Sequence, residues 1–404
     1  MPDIVSQGGD RGPSSWPRWL LAAAVLVLVA VGLTEYVTRP AHPAAPSTTS
    51  ARPVADSGGP VSVSARAGGP DGITGPVTPW PSGLALLSGG TRPAWFRPMS
   101  AQSRLIRGLP PAPSGYQFTR TAGGWAVQAS PGARRSCGAC AGAPRPVYYL
   151  TDAAAGARRV GAAYAVASGP TAATLWLTSY PSGADPFTAA GRAQQVDLTG
   201  TPAGAPVRLP AGYSLVQGTS RGLLLAPTVP PPGETFDELW VPGTARASRV
   251  FPGVVAVSAD AIAWSAPCDA DCRVQVLSLA TGRETSATLP GAGSVANAAF
   301  SPDGRYLALQ VSYSNNGDDG ALAVRLAVMS LPAGHLTIVP QTFASSDALV
   351  SFGWPAGGDI LVAELSFTAK VQLAAWHPGA TRLAVASLAP HHVPPSLVLA
   401  PSTP

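Results

Sequence analysis

Charge is scarce in this chain of 404 residues: Asp, Glu, Lys and Arg together make up 12% of it. An ordinary globular chain carries about twice that share. The shortage excludes a coiled coil or a polar-faced helical bundle, which needs Glu and Lys in quantity and few helix breakers. Lysine is almost missing, Lys370 being the single one; the other basic residues are arginines, and the formal net charge is +5. No run of arginine exceeds two residues (Arg134-Arg135, Arg158-Arg159), and no basic stripe is interleaved with aromatics. Nucleic acid is therefore excluded as a partner. What the chain has instead is 44 glycines, 44 prolines, 46% hydrophobic residues and ten tryptophans. So much apolar surface is not the composition of a disordered chain. Frequent punctuation between runs of Val, Leu and Ala predicts many short strands joined by turns.

Residues 19–37, WLLAAAVLVLVAVGLTEYV, are free of charge from Trp19 to Leu33. As a helix they span about 28 Å, the hydrocarbon thickness of a bilayer. Trp16, Trp19 and Tyr36 stand at the two ends, where amphipathic rings favour the headgroup zone. This predicts an uncleaved signal anchor in the plasma membrane; a cleaved signal peptide, with its best site in Ala41–Ala45, is the alternative. Arg11 and Arg18 before the segment nearly balance Arg39 and Arg52 after it. A short tail ahead of one segment favours residues 1–18 inside and the rest exported. Residues 38–82 hold nine prolines and six glycines without apolar periodicity, which predicts a semi-extended tether with the folded part starting close to Trp80.

Beyond the tether the chain repeats. Six segments read strand, tight turn, strand: 148–160, 196–209, 239–250, 276–289, 328–339 and 373–386. Their starts lie 37 to 52 residues apart, about 45 on average. That is the length of one four-stranded propeller blade, each hairpin supplying the two outer strands. Inner strands are expected at 124–129, 162–167, 222–227, 257–264, 300–309 and 352–363. The clearest is FSPDGRYLAL, where Ser301-Pro302-Asp303-Gly304 forms a turn: Pro fixes φ, Asp accepts from nearby amides, and Gly takes the left-handed position. This decapeptide resembles the repeat signature of TolB-type β-propellers, relatives of WD-repeat propellers. The resemblance covers residues 83–404 and implies an all-β propeller of six to seven four-stranded blades. A seventh blade would join LALL at 84–87 and AWF at 94–96 to SLVL at 396–399, closing the ring through the two chain ends. Two stacked β-sandwiches are the rival architecture. No Trp-Asp dipeptide closes a strand, and TolB's own N-terminal α/β domain has no counterpart, so a TolB-like role in outer-membrane transport is not implied.

The four cysteines form two close pairs, Cys137 with Cys140 and Cys268 with Cys272. Position 141 is Ala, which excludes a haem attachment, and no βαβ setting supports a thioredoxin-type pair. In an exported domain local disulfides are expected, each pinning a loop; a zinc site built from all four is the alternative. Gly218-Thr219-Ser220-Arg221-Gly222 fits the nucleophile-elbow pattern, but a strand ended by Pro227 follows in place of a helix. Asn315–Gly320 lacks the spacing and distal Glu of a calcium loop. Glu234, Asp237 and Glu238 are the densest carboxylates and read as a solvated group. The five histidines (His42, His335, His377, His391, His392) show no ligand spacing. The expectation is a membrane-anchored extracytoplasmic propeller that binds a protein or ligand of the cell envelope, with no cofactor and no catalytic constellation. The alternative is a propeller hydrolase or lyase acting on envelope sugar or peptide.

Overall fold

The computed structural model describes residue 73 and residues 77–399, apart from 122, 131–142, 152–155, 232–234, 267, 269–270, 314–322, 341–343, 346–348, 356–358, 367–370 and 389–396. The expected membrane segment 19–37, Cys137 and Cys140, Glu234, Asn315–Gly320 and His391-His392 lie outside the described residues. Among the described residues no helix is long and apolar enough to cross a membrane.

The described chain forms seven sheets, each built on four antiparallel strands, the blades of an all-β propeller. Blade 1 is built from Leu397–Val398, Leu86–Ser88, Ala94–Arg97 and Gln102–Leu105, in spatial order from the first strand outward. Blade 2 runs Tyr116–Thr121, Gly124–Ala129, Arg145–Thr151, Arg158–Ala163; blade 3 runs Ala165–Ser168, Thr174–Ser179, Ala190–Asp197, Val207–Ala211. Blade 4 is Tyr213–Thr219, Gly222–Pro227, Phe236–Trp240, Arg249–Pro252, and blade 5 is Val254–Val257, Ala261–Ser265, Asp271–Ser278, Glu284–Pro290. Blade 6 is Ser294–Phe300, Tyr306–Tyr313, Ala323–Ser330, Leu336–Ile338, with Ala344–Ser345 also pairing its third strand. Blade 7 is Leu349–Gly353, Leu361–Ser366, Val371–Trp376, Leu383–Leu388.

All six repeated hairpins supply the third and fourth strands of blades 2 to 7, as their sequences predict. The ring closes where expected: Leu397 and Val398 pair antiparallel with Ser88 and Leu87, so one blade contains both ends of the propeller sequence. Two details differ. AAYAVA is not one strand; Ala162 and Ala163 end blade 2 and Ala165–Ser168 opens blade 3. The break falls at Tyr164, whose ring packs edge-on against Tyr180 and whose amide bonds the Thr178 carbonyl at 2.7 Å. Neither Gly nor Pro marks that crossing. Structure also begins inside the segment read as tether: Val77–Pro79 runs parallel to Leu383–Val385 on the outer edge of blade 7, and Trp80 is buried.

Each blade is covered on both sides, and this explains the poverty of charge. Alternate residues of a strand face opposite ways. In the second strand of blade 4, Leu223 and Leu225 pack against blade 3 while Leu224 packs against blade 5. In blade 6, Leu307 and Leu309 face blade 5 and Ala308 faces blade 7. A strand buried on both faces reads as an unbroken apolar run. Seven separate clusters, one in every blade-to-blade interface, make up the core.

The turns carry their own devices. In the signature turn the Gly304 amide bonds the Ser301 carbonyl at 2.9 Å, with Gly304 at φ +70°. The Ser301 hydroxyl donates to Asp303 Oδ1 (2.6 Å) and accepts from the Tyr306 amide (2.9 Å), and Arg305 pairs with the Asp303 carboxylate. Partial burial pushes the Asp303 carboxyl up, but the bonds from Ser301 and Arg305 outweigh it and hold the group below its usual value. Its charged form therefore stabilises the blade above the usual aspartate range, and that contribution is lost as pH falls through the depressed value. Two other turns repeat a different pattern. Val241-Pro242-Gly243-Thr244 and His377-Pro378-Gly379-Ala380 are type II turns, with Gly243 at φ +88° and Gly379 at φ +89°. In each, the Trp that ends the third strand donates its indole N–H across the turn: Trp240 to the Thr244 carbonyl (3.0 Å) and Trp376 to the Ala380 carbonyl (2.8 Å).

Candidate functional site

A cleft of about 600 Å³ is shared by blades 4, 5 and 6. It is formed by loops that join second to third strands and blade to blade, all on one face of the ring. Blade 4 contributes Pro227, Phe236 and Asp237; blade 5 contributes Val254, Ser265 and Cys268; blade 6 contributes Ser294 and Val295. Backbone bonds fix the walls: the Gly253 amide to the Thr235 carbonyl (3.1 Å) and the Ser265 amide to the Gly253 carbonyl (3.1 Å).

Cys268 and Cys272 form a disulfide with Cα atoms 5.1 Å apart, as their spacing predicts. The bridge spans the loop from the second to the third strand of blade 5. Cys272 is fully buried in the core between blades 5 and 6 and Cys268 lines the cleft, so the bridge ties cleft wall to core. Cys140, like Cys137, lies outside the described residues, and the expectation of a disulfide between Cys137 and Cys140 falls there with it. A zinc site using all four cysteines would need Cys268 and Cys272 as thiolates; their bridge removes them, so Cys137 and Cys140 have no such partners in this pair. Among the described residues no group of three or more His, Cys, Asp or Glu could hold a metal.

Asp237 and Glu238 are adjacent in sequence but not in space. Strand pleating sends them to opposite sides of blade 4. Glu238 accepts a hydrogen bond from the Tyr213 hydroxyl at 3.0 Å. Asp237 enters the cleft, and burial pushes its carboxyl up to about 6. Among the described residues no hydrogen bond or ion pair compensates it. On the same side of the blade, Arg249 is engaged by Glu284 at 2.6 Å and lies over the Phe251 and Trp264 rings. The sequence pattern read all three carboxylates as solvated, and the structure corrects that for Asp237.

An aspartate with a raised value weakens folding at neutral pH. Well below the ordinary value of 3.8 both folded and unfolded states hold the proton and there is no penalty; the penalty grows as pH rises through 3.8 towards about 6 and stays constant above. Replacing Asp237 by Asn removes it. Asp237→Asn is expected to stabilise the protein by about 1–2 kcal/mol near pH 7.5, discounted for the carboxylate's partial exposure, and by a small fraction of that near pH 4. Denaturant melts of both proteins at the two pH values check this; a loss of stability at both would contradict the burial argument.

The remaining motifs resolve structurally. Gly218–Gly222 is a hairpin turn between the first two strands of blade 4, Thr219 pairing with Gly222. A Cβ on Gly218 would lie 2.4 Å from the Trp176 indole nitrogen, and one on Gly222, at φ +146°, would lie 2.5 Å from the Trp240 carbonyl oxygen. Both glycines are required for packing between strands and blades. Arg221 leaves this turn to bond the Leu279 carbonyl at 2.8 Å and the Ala280 carbonyl at 3.2 Å, fastening blade 4 to blade 5. His377 Nδ1 lies 3.0 Å from the Asp359 carbonyl oxygen, and the His335 carbonyl accepts from the Ser330 amide in a hairpin turn. The first strands of neighbouring blades adjoin around the centre of the ring, and among their described residues the one formally charged side chain is Arg120, over the Trp125 ring. A second cavity of about 200 Å³ between blades 7, 1 and 2 is lined by apolar residues including Trp95, Trp125 and Trp354.

No family model matches the sequence, and no curated protein matches it. Solved structures do resemble it. TolB from Acinetobacter baumannii is 11% identical, over 74% of this chain and 64% of its own, with a TM-score of 0.37. A protein from Lactobacillus plantarum is 12% identical over 76% of this chain and 97% of its own (TM-score 0.42). A putative 6-phosphogluconolactonase from Bacteroides uniformis is 13% identical over 76% and 96% (TM-score 0.42). The chain spans less than two thirds of the length of that TolB. These likenesses concern the propeller fold.

Proposed function

We propose that this chain is a membrane-anchored, extracytoplasmic binding module: residues 19–37 hold it in the plasma membrane, residues 38–72 hold the ring clear, and the cleft face engages an envelope protein or ligand. The observation that carries this reading is the cleft itself, walled by three blades and holding, among its described residues, one uncompensated carboxylate. Exposed apolar groups stand at its rim. Val229 lies between the cleft residues Pro227 and Pro230, and Thr228 ties that loop to the Phe187 carbonyl at 2.5 Å. Phe187 and Val229 are both exposed, and large apolar groups left open beside a cavity favour an interaction surface. The alternative reading, a hydrolase or lyase acting on envelope sugar or peptide, asks for a second acid or base facing the first across a defined gap. The described lining offers Asp237 as its one carboxylate, and Glu238, the nearest in sequence, faces away.

A photo-crosslinking residue placed at Val295 in the cleft, or at Gly204 on the opposite face, tests this in intact cells. The expected result is a discrete adduct from Val295 and none from Gly204. Equal labelling from both faces, or none from the cleft, would contradict the assignment of the binding face.

A further inference from the structure

We propose that the cleft across blades 4, 5 and 6 takes a small organic monocation: an amine or amidinium carried on an apolar body. This rests on the reading of that face as the binding face and names the chemistry the cleft selects. Size comes first. About 600 Å³ lies within the range of small-molecule sites. The lining comes second. Phe236, Val254, Val255 and Val295 give apolar walls, and Thr235 and Ser265 add neutral polar groups. Charge comes third. Asp237 is the one formally charged side chain among the described lining residues.

Among the described residues, the other charged groups on neighbouring elements are engaged. Arg249, on the adjacent strand, pairs with Glu284. Glu238 accepts from Tyr213 on the far side of the blade. Asp271, across the disulfide loop, accepts from the Gly291 amide at 2.9 Å. The second strand of blade 4 and the first strands of blades 5 and 6 bring no charged side chain. An ionised carboxylate held in a partly desolvated cleft is costly until a cation meets it. A neutral ligand would leave that cost in place and an anion would raise it. A metal ion would need further oxygen, nitrogen or thiolate ligands, and the described residues assemble no such group. A monocation with an apolar body satisfies both the single charge and the walls.

The test uses the full-length chain in lipid nanodiscs and phenylbutylamine as the probe, with phenylbutyrate as the isosteric anion. Titration calorimetry is expected to show saturable binding of the amine near pH 7.5. Binding should weaken about tenfold or more in Asp237→Asn, and likewise for the wild type near pH 5, where the carboxyl is protonated and the amine is not affected. Glu238→Gln should bind as the wild type does. Ser294→Trp, which fills the cleft from an exposed position, should abolish binding and serves if Asp237→Asn fails to fold. Absence of saturable amine binding to the wild type, binding within about twofold in Asp237→Asn, or equal binding of phenylbutyrate would each overturn the proposal. A cleft adduct in cells without amine binding would sink the ligand class alone. Amine binding without the adduct would sink the envelope-partner reading and leave the monocation site standing.

Discussion

A chain ending at Pro395 is expected to fail to fold into a closed ring. It lacks the Leu397–Val398 strand that pairs with Leu87 and Ser88, and with it the first strand of blade 1. Leu397 and Leu399 sit in one apolar cluster with Trp80, Leu86 and Phe96. Losing two buried leucines costs about 2–5 kcal/mol each. The truncation also uncovers Leu86–Ser88 as an open, apolar sheet edge, which invites aggregation. Typical domain stability is about 5–15 kcal/mol, so the loss takes most or all of it. A chain ending at Pro401, which keeps Leu397 to Leu399, should melt like the parent. A peptide covering residues 389–404, added in trans, should restore part of the cooperative transition to the shorter chain. Thermal melts followed by near-ultraviolet circular dichroism measure all three. A melting temperature for the shorter chain within a few degrees of the parent would mean that the ring does not depend on its C-terminal strand.

Trp376→Ala is expected to cost about 3–5 kcal/mol, because it empties the centre of the cluster between blades 6 and 7. Trp376→Phe separates two contributions. It keeps most of the ring's burial but removes the indole N–H that satisfies the Ala380 carbonyl. The expected cost is about 1–2 kcal/mol, that of one lost hydrogen bond at a half-buried turn. Trp240→Phe should behave alike, since the same Trp-X-Pro-Gly turn recurs in blade 4. Urea unfolding of the three variants measures these differences. Equal losses in Trp376→Ala and Trp376→Phe would assign the whole effect to the hydrogen bond and none to packing.

Much of this architecture is legible in the sequence because propellers repeat. Hairpins recur at about 45-residue intervals, frequent glycines and prolines mark the turns, and the apolar runs between them mark strands covered on both faces. The closure by 396–399 was readable because an unpaired Leu-Val-Leu run at one end matched unpaired strands at the other. The Cys268–Cys272 bridge was readable from its spacing and from the loop around it. Other features carried no local signal. Tyr164 changes blades without Gly or Pro, and what turns the chain there is a ring contact with Tyr180. Val77–Pro79 looks like tether because it is polar-flanked and proline-rich, and its strand geometry comes from a parallel partner some 300 residues away. Asp237 and Glu238 look alike in sequence. Their different surroundings follow from which side of blade 4 each faces and from how blade 5 stacks upon it, which only the assembled ring decides.

Whether the ring lies outside the membrane decides the proposed role, and thiol accessibility in intact cells measures it most directly. Cys268 lines the cleft and becomes a reporter once its bridge to Cys272 is reduced. A membrane-impermeant maleimide should label the protein in intact cells only after reduction, which places the ring outside with its cysteines paired. Thiols that stay unlabelled in intact cells with or without reductant, yet react in lysates without it, would place the ring in the cytosol and contradict the extracytoplasmic binding module.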